Sequence, residues 1–381
     1  MNNQISTRLH GLDTLRALAV LVVVFYHLTI FGELPIRLLP VTYHGWMGVD
    51  LFFVLSGFLI GRQVLKPLPS GQKFSIADFY RRRAYRILPA YLTVLALYVF
   101  VPGWRDFPRI MPVWQFLTFT MNFGFTFARR GFSHAWSLCV EEHFYLLLPL
   151  LVIWLMRRPS ARKTVAVIAG VFLFGIALRW FLINRFPDEV WTSIYYPSYT
   201  RLDGLLTGVA LAVVRTFRPG WWHRWMQHGH ALFLTGAACV TCVVWMFRNR
   251  DLGNATGPAM WGVVLGFPLL AIGLGLITAS AVSENGLLSR IRIPGAETLA
   301  TLAFALYLTH KPIGHLVMVH FPSITQSKGP ASWLLYTVTC LGAAWLLHIS
   351  VEQPFMRLRD RHLHRTAPAP VPVEEERTVA S

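Results

Sequence analysis

Apolar runs of about twenty residues recur along almost the whole of this 381-residue chain. Coiled as a helix, a run of that length matches the hydrocarbon thickness of a bilayer. Inside a bilayer only helices and closed barrels satisfy their own backbone groups. The expected fold class is therefore an all-α integral membrane protein, a single bundle of about ten transmembrane helices with one re-entrant segment. Composition agrees, because 54% of the residues are hydrophobic and only 14% charged, against about 25% charged in soluble domains. Mean hydropathy is +0.47. The expected crossings are Asp13–Phe31, Trp46–Gly61, Tyr80–Val101, Trp136–Met156, Thr164–Ile183, Thr200–Val214, His230–Phe247, Pro258–Ser280, Glu297–Phe321 and Ala331–Val351. The first apolar run, Ala17–Phe31, is as short as a signal peptide, but it lacks a small-residue cleavage site and reads as a retained helix.

Charge decides the status of an eleventh stretch, Ile110–Phe127. If it does not cross, well over half of the 35 Arg and Lys residues fall on one side, including Arg62–Arg86, Arg157–Lys163 and the C-terminal tail. If it crosses, the Arg157–Lys163 cluster lands on the other side. The positive-inside rule favours the first arrangement, with both termini cytoplasmic and Ile110–Phe127 re-entrant or interfacial. The formal charge of +17 belongs to these short clusters between apolar runs, so membrane lipid is the expected partner and nucleic acid is not. The bundle is expected over residues 1–361. Residues 362–381, with alternating Pro and the Glu374–Glu376 run, read as a disordered cytoplasmic tail. Cys239 and Cys242 form a C-x-x-C within an apolar run and are expected to be small buried fillers. Gly204 and Gly208 are spaced for close helix packing. No metal site is expected.

Ionisable residues inside crossings are costly and become functional candidates. On the first helix His27 stands eleven residues beyond Arg16, about 16 Å deeper. It reads either as a hydrogen-bonded packing residue or as a general base. On the fourth helix Ser137, Glu141 and Tyr145 share one face, with Glu142 about 100° away. Glu141 is expected at the depth of His27, where a carboxylate would orient the imidazole; a structural ion pair is the bland reading. Arg83 and Arg86, one turn apart, serve equally well as orientation anchors or as a phosphate clamp. Arg201 and Asp203, with Tyr307, His310 and Lys311, make either an internal ion pair or a polar wall facing a sugar. Asp50 opens the Asp50–Phe58 stretch, whose Ser56 and Gly57 suit tight packing.

Taken together, these motifs resemble the membrane acyltransferase-3 family, which includes bacterial O-acetyltransferases of surface polysaccharides and macrolide acyltransferases. The resemblance runs from Arg8 to about Arg361. Its Arg-x10-His falls on Arg16 and His27, and its Arg-x-x-Arg on Arg83 and Arg86. Gly48–Phe58, Trp136-Ser137-Leu138 with Glu141 and Tyr145, Thr200–Asp203 and Val351–Phe355 match further landmarks in order. Leu12-Asp13-Thr14-Leu15-Arg16 replaces the usual Leu-Asp-Gly-Leu-Arg, and Thr309-His310 stands where relatives often have Trp-His. Some relatives add an extracytoplasmic esterase-like domain, which is not expected in this chain.

The resemblance implies an enzyme of the bacterial cytoplasmic membrane with no bound cofactor and acyl-CoA, most simply acetyl-CoA, as co-substrate. Phosphates of the donor would sit on Arg83 and Arg86, with Arg16 also on the donor side. His27, oriented by Glu141, would either take a proton from a hydroxyl of a carbohydrate or glycoconjugate acceptor or carry the acyl group transiently itself. Asp50, Ser137, Tyr145, Arg201, Asp203 and His310 would line the substrate. The competing reading is a transporter or flippase of a lipid-linked sugar. Such transporters often show inverted repeats, and none is visible here.

Overall fold

A computed structural model describes residues 9–30, 42–69, 71, 74–247 and 259–365. Ten long helices make the bundle among these residues: α1 (His10–Ile30), α2 (Met47–Leu65), α3 (Ile76–Phe100), α4 (Trp136–Met156), α5 (Ala161–Arg185), α6 (Asp203–Phe217), α7 (Gly229–Phe247), α8 (Ala259–Ala281), α9 (Ala296–His320) and α10 (Pro330–Leu347). They coincide with the ten expected crossings. Phe31 and Pro258, the expected ends of two of them, lie outside the described residues.

Eight of the helices are long and apolar enough to cross a membrane. The other two fall short for local reasons. The first turns of α3 carry Arg81, Arg82, Arg83 and Arg86, and α6 has only 15 residues, about 22 Å of helix. Packing nevertheless sets both within the bundle. α3 runs antiparallel to α4: the Tyr80 hydroxyl donates to the Leu146 carbonyl near one end, and Tyr98 stacks on Phe132, just before α4, near the other. α6 runs parallel to α2, with Asp50 beside Arg201 and Gly61 against Ala212. α2 and α8 are the most enclosed spans, each 72% buried, whereas α5 and α7 are 17% buried. The peripheral helices turn Leu173, Leu234 and Trp245 outward, as a lipid-facing surface requires.

The α2–α6 contact depends on glycine. A Cβ on Gly57 would strike the Leu205 carbonyl, and one on Gly208 would strike the Val54 carbonyl. Gly208 belongs to the small-residue pair seen in the sequence, and its partner is backbone. The C-x-x-C is not a pair of buried fillers. Cys239 is half-buried against Gly273 of α8, while Cys242 lies on the outward face of α7, and all four cysteines are free. Three residues along a helix turn a side chain by about 300°, so two cysteines so spaced need not share an environment.

Residues 102–135 fold back over the end of α3. Arg105 donates to the carbonyls of Tyr98 and Val99 (2.6 and 2.9 Å), which a helix C-terminus leaves unpaired. The stretch 110–127 contains only the five-residue helix Val113–Leu117 and does not cross. It dips to Tyr91, whose hydroxyl donates to the Phe116 carbonyl at 2.9 Å, about 14 Å below the end of α3. Asn122, fully buried, ties the segment to the Tyr196 carbonyl and the Ser198 hydroxyl. Phe116, Met121, Asn122 and Phe125 anchor the segment in the protein, while Val113, Trp114, Leu117 and Phe123 are exposed, which suits a re-entrant or interfacial segment held by the bundle.

After α10 a π-turn over His348–Glu352 leads into α11 (Gln353–Arg365). The helix thus passes the expected boundary at residue 361, held by a hydrogen bond between the Tyr85 hydroxyl and His362 Nδ1 (2.8 Å). The remainder of the expected tail lies outside the described residues.

Candidate active site

Three histidines converge where the 102–135 segment meets α1 and α9. His27 comes from α1, His310 from α9 and His134 from the turn that starts α4. Ring centroids are 4.9 Å apart for His27 and His310, 5.2 Å for His134 and His310, and 6.5 Å for His27 and His134.

Hydrogen-bond partners assign the tautomers. His310 Nδ1 lies 3.1 and 2.8 Å from the carbonyls of Leu306 and Tyr307. A carbonyl only accepts, so this nitrogen carries the hydrogen and Nε2 is left as an acceptor. His27 Nδ1 lies 3.0 Å from the Val23 carbonyl and 3.0 Å from His310 Nε2. It therefore donates, and the lone pair of His27 is on Nε2. Two helix backbones and one neighbouring ring thus leave the lone pair of His27 on a defined atom, Nε2. His310, expected among the residues lining the substrate, is bonded directly to His27 and positions it.

The expected partner of His27, Glu141, is elsewhere. Glu141 accepts from the Ser56 hydroxyl (3.2 Å) and the Tyr145 hydroxyl (2.5 Å), and no hydrogen bond joins it to His27. Helix arithmetic places two residues at one depth but not on facing sides, and α9 supplies the neighbour instead. Tyr307 of α9 bonds the Ser137 hydroxyl (2.5 Å) and the His134 carbonyl (2.8 Å). The predicted stripe on α4 survives as a polar line: Ser137 beside the histidines, Glu141 with Ser56 in the middle, Tyr145 at the far end. The Arg83 guanidinium lies over the Tyr145 ring at 3.8 Å. From Ser137 to Tyr145 is about 12 Å along the helix.

Arg86 does not share that target. It faces the buried Glu352 at 3.8 Å, where His348 Nδ1 stands 2.7 Å from the same carboxylate. Arg16 pairs with Asp13 at 3.8 Å. Arg201 and Asp203 do not pair with each other. Arg201 donates to both oxygens of Asp50 at 2.9 Å and lies within 4.0 Å of the Phe267 ring centroid and 4.7 Å of Tyr195. Asp203 takes a bidentate pair from Arg179 (2.7 and 3.1 Å). Asp50, Arg201 and Asp203 are all buried, and these ion pairs join α2, α5 and α6 where the sequence allowed an open sugar-facing wall.

A family model described as an acyltransferase domain matches residues 9–349. The chain belongs to this acyltransferase family. An O-acetyltransferase, OatA, of Staphylococcus aureus is 26% identical over 372 residues, covering 92% of this chain and 57% of that protein. A putative O-acetyltransferase of the same species is 30% identical over 219 residues, covering 53% of this chain and 34% of that protein. The chain spans a little over half the length of the first of these relatives. No solved structure matches it.

Within this acyltransferase-family bundle, one contributor to the histidine cluster escaped sequence reading. His134 sits in what read as a loop, and its only sequence signal is its place two residues before Trp136. Asp106 gave no signal at all. Its carboxylate holds Lys311 at 2.7 Å and accepts from the Tyr98 hydroxyl at 2.7 Å and the Phe132 amide at 3.1 Å. Lys311 also donates to the Ser133 hydroxyl at 2.7 Å. This pair latches the 102–135 segment to α9 directly beside His134 and His310. Burial opposes the charge on Asp106, but Lys311 and the hydrogen bonds from Lys311 and Tyr98 outweigh it and hold the carboxyl down to about 2.

Proposed function

We propose that this chain is a membrane O-acyltransferase that moves an acetyl group from cytoplasmic acetyl-CoA to a hydroxyl of a carbohydrate or glycoconjugate. The observation that carries the reading is His27, whose Nδ1 is engaged by Val23 and His310 and whose Nε2 keeps its lone pair. In this reading Nε2 takes the proton of the acceptor hydroxyl as its oxygen attacks the thioester carbonyl. The carbon–sulfur bond breaks, the coenzyme leaves as thiolate, and the proton on His27 is returned to it. The polar line along α4 supports a donor route from Arg83 to the histidines, with the guanidinium suited to a coenzyme phosphate. Arg86, which also faces Glu352, and Arg16 add positive charge on the donor side. The likeness to an O-acetyltransferase and a putative O-acetyltransferase supports acetyl as the group and oxygen as its destination. The distribution of Arg and Lys supports a bacterial cytoplasmic membrane with both termini inside.

The test is transfer by purified protein in lipid, with radiolabelled acetyl-CoA as donor and a cell-envelope glycan extract as acceptor. His27→Ala should lower transfer at least about 100-fold while unfolding at nearly the wild-type temperature. A folded His27→Ala protein that retains more than about a tenth of wild-type activity would remove His27 from the chemistry.

A further inference from the structure

His134 is 2% exposed, and its two ring nitrogens differ. Nε2 lies 3.2 Å from the Leu308 carbonyl and so carries the hydrogen. Nδ1 is therefore a bare acceptor, and it is buried with no hydrogen-bond partner among the described residues. Burying an acceptor unpaired is costly, and a native protein keeps such an atom for a reason.

The surrounding polar groups are directed elsewhere. The Tyr307 hydroxyl donates to the His134 backbone carbonyl. His27 Nδ1 faces Val23 and His310, and His310 Nδ1 faces Leu306 and Tyr307. Lys311 Nζ is held by Asp106 and Ser133. Phe132 and Tyr307 pack against the ring in T-shaped contacts at 5.0 and 5.6 Å. The site consequently holds two lone pairs without a donor, one on His27 and one on His134, on rings 6.5 Å apart.

We propose that His134 is an acceptor-binding residue whose Nδ1 takes a hydrogen bond from a second hydroxyl of the carbohydrate, next to the one deprotonated by His27. The proposal rests on the acyltransferase reading and narrows its substrate class to compounds with neighbouring hydroxyls. Hydrogen bonds of about 2.8 Å to two neighbouring hydroxyls are long enough in sum to bridge rings whose centroids lie 6.5 Å apart. The side of approach fits. His134 lies in the 102–135 segment two residues before α4 starts, at the end of α4 away from Tyr145 and Arg83, so it meets the acceptor and not the coenzyme.

Three variants separate binding from mere support of the ring. His134→Asn keeps an acceptor near the Nδ1 position and loses the Leu308 bond. His134→Gln can keep the Leu308 bond and loses the acceptor. His134→Leu loses both. Each is produced in cells of the source organism lacking the chromosomal copy. The cells are permeabilised and given radiolabelled acetyl-CoA, and base-labile label on envelope glycan is counted, with His27→Ala as the zero. Transfer by the Asn variant should exceed that by Gln and Leu about tenfold, at unchanged apparent KM for acetyl-CoA. Gln or Leu equal to Asn would overturn the role of Nδ1 and leave the acyltransferase reading intact. If the Gln protein does not accumulate in the membrane, the Asn and Leu pair, in which the Leu308 bond is absent from both, decides alone. Wild-type protein giving no more label than His27→Ala would overturn both readings together.

Discussion

At the scale of single residues, the chemistry of this site is set by which nitrogen of each imidazole faces a carbonyl. Leu306 and Tyr307 fix His310, His310 and Val23 fix His27, and Leu308 fixes His134. The Lys311–Asp106 pair sits at the edge of this network and ties it to the 102–135 segment. Asp106→Asn leaves the buried Lys311 charge uncompensated and should cost about 3 kcal/mol of stability at neutral pH. The sign of the pH dependence follows from a carboxyl lowered from 3.8 to about 2 on folding. The unfolded chain binds that proton more readily, so the stabilisation is complete above about pH 4 and fades as pH falls towards 2. Thermal unfolding in detergent should show wild type and Asp106→Asn far apart at neutral pH and converging in that acidic window. A gap that stays constant down to pH 2 would mean that the ion pair is not its origin.

At the scale of elements, α2 and α6 approach until backbone meets backbone, and the residues that permit this are Gly57 and Gly208. That contact also brings Asp50 to Arg201, so helix packing and the buried ion pair reinforce each other. Gly208→Leu should push the helices apart and destabilise the protein by about 3 kcal/mol. Gly170→Leu, on α5 where nothing lies within 4 Å of an added Cβ, should be neutral. Melting temperatures of the two variants check this, and similar losses for both would show that the α2–α6 approach is not tight.

At the scale of the whole molecule, one expectation concerns sidedness. In a cysteine-free background, Asp188→Cys should react with an impermeant thiol reagent added to intact cells, and Ser160→Cys should react only after the membrane is opened. Both positions are exposed, at opposite ends of α5. Reaction at Ser160→Cys in intact cells would reverse the inside-positive orientation.

The positions of the ten long helices were legible in the sequence because hydropathy over twenty residues is a local property that a bilayer reads directly. So was the non-crossing of 110–127, through the charge balance of its neighbours. His27, and the Ser137–Glu141–Tyr145 face, were legible because an ionisable residue in an apolar run and an i, i+4 spacing need no knowledge of neighbours. Contacts between helices were not. Depth follows from counting residues, but rotation about each axis is set by packing, so Glu141 went to Ser56 and His27 to His310. For the same reason Arg201 found Asp50 instead of Asp203, and Arg86 turned to Glu352. His134 and Asp106 enter the site from a segment with no period to read, and only its fold back over α3 and α9 puts them there.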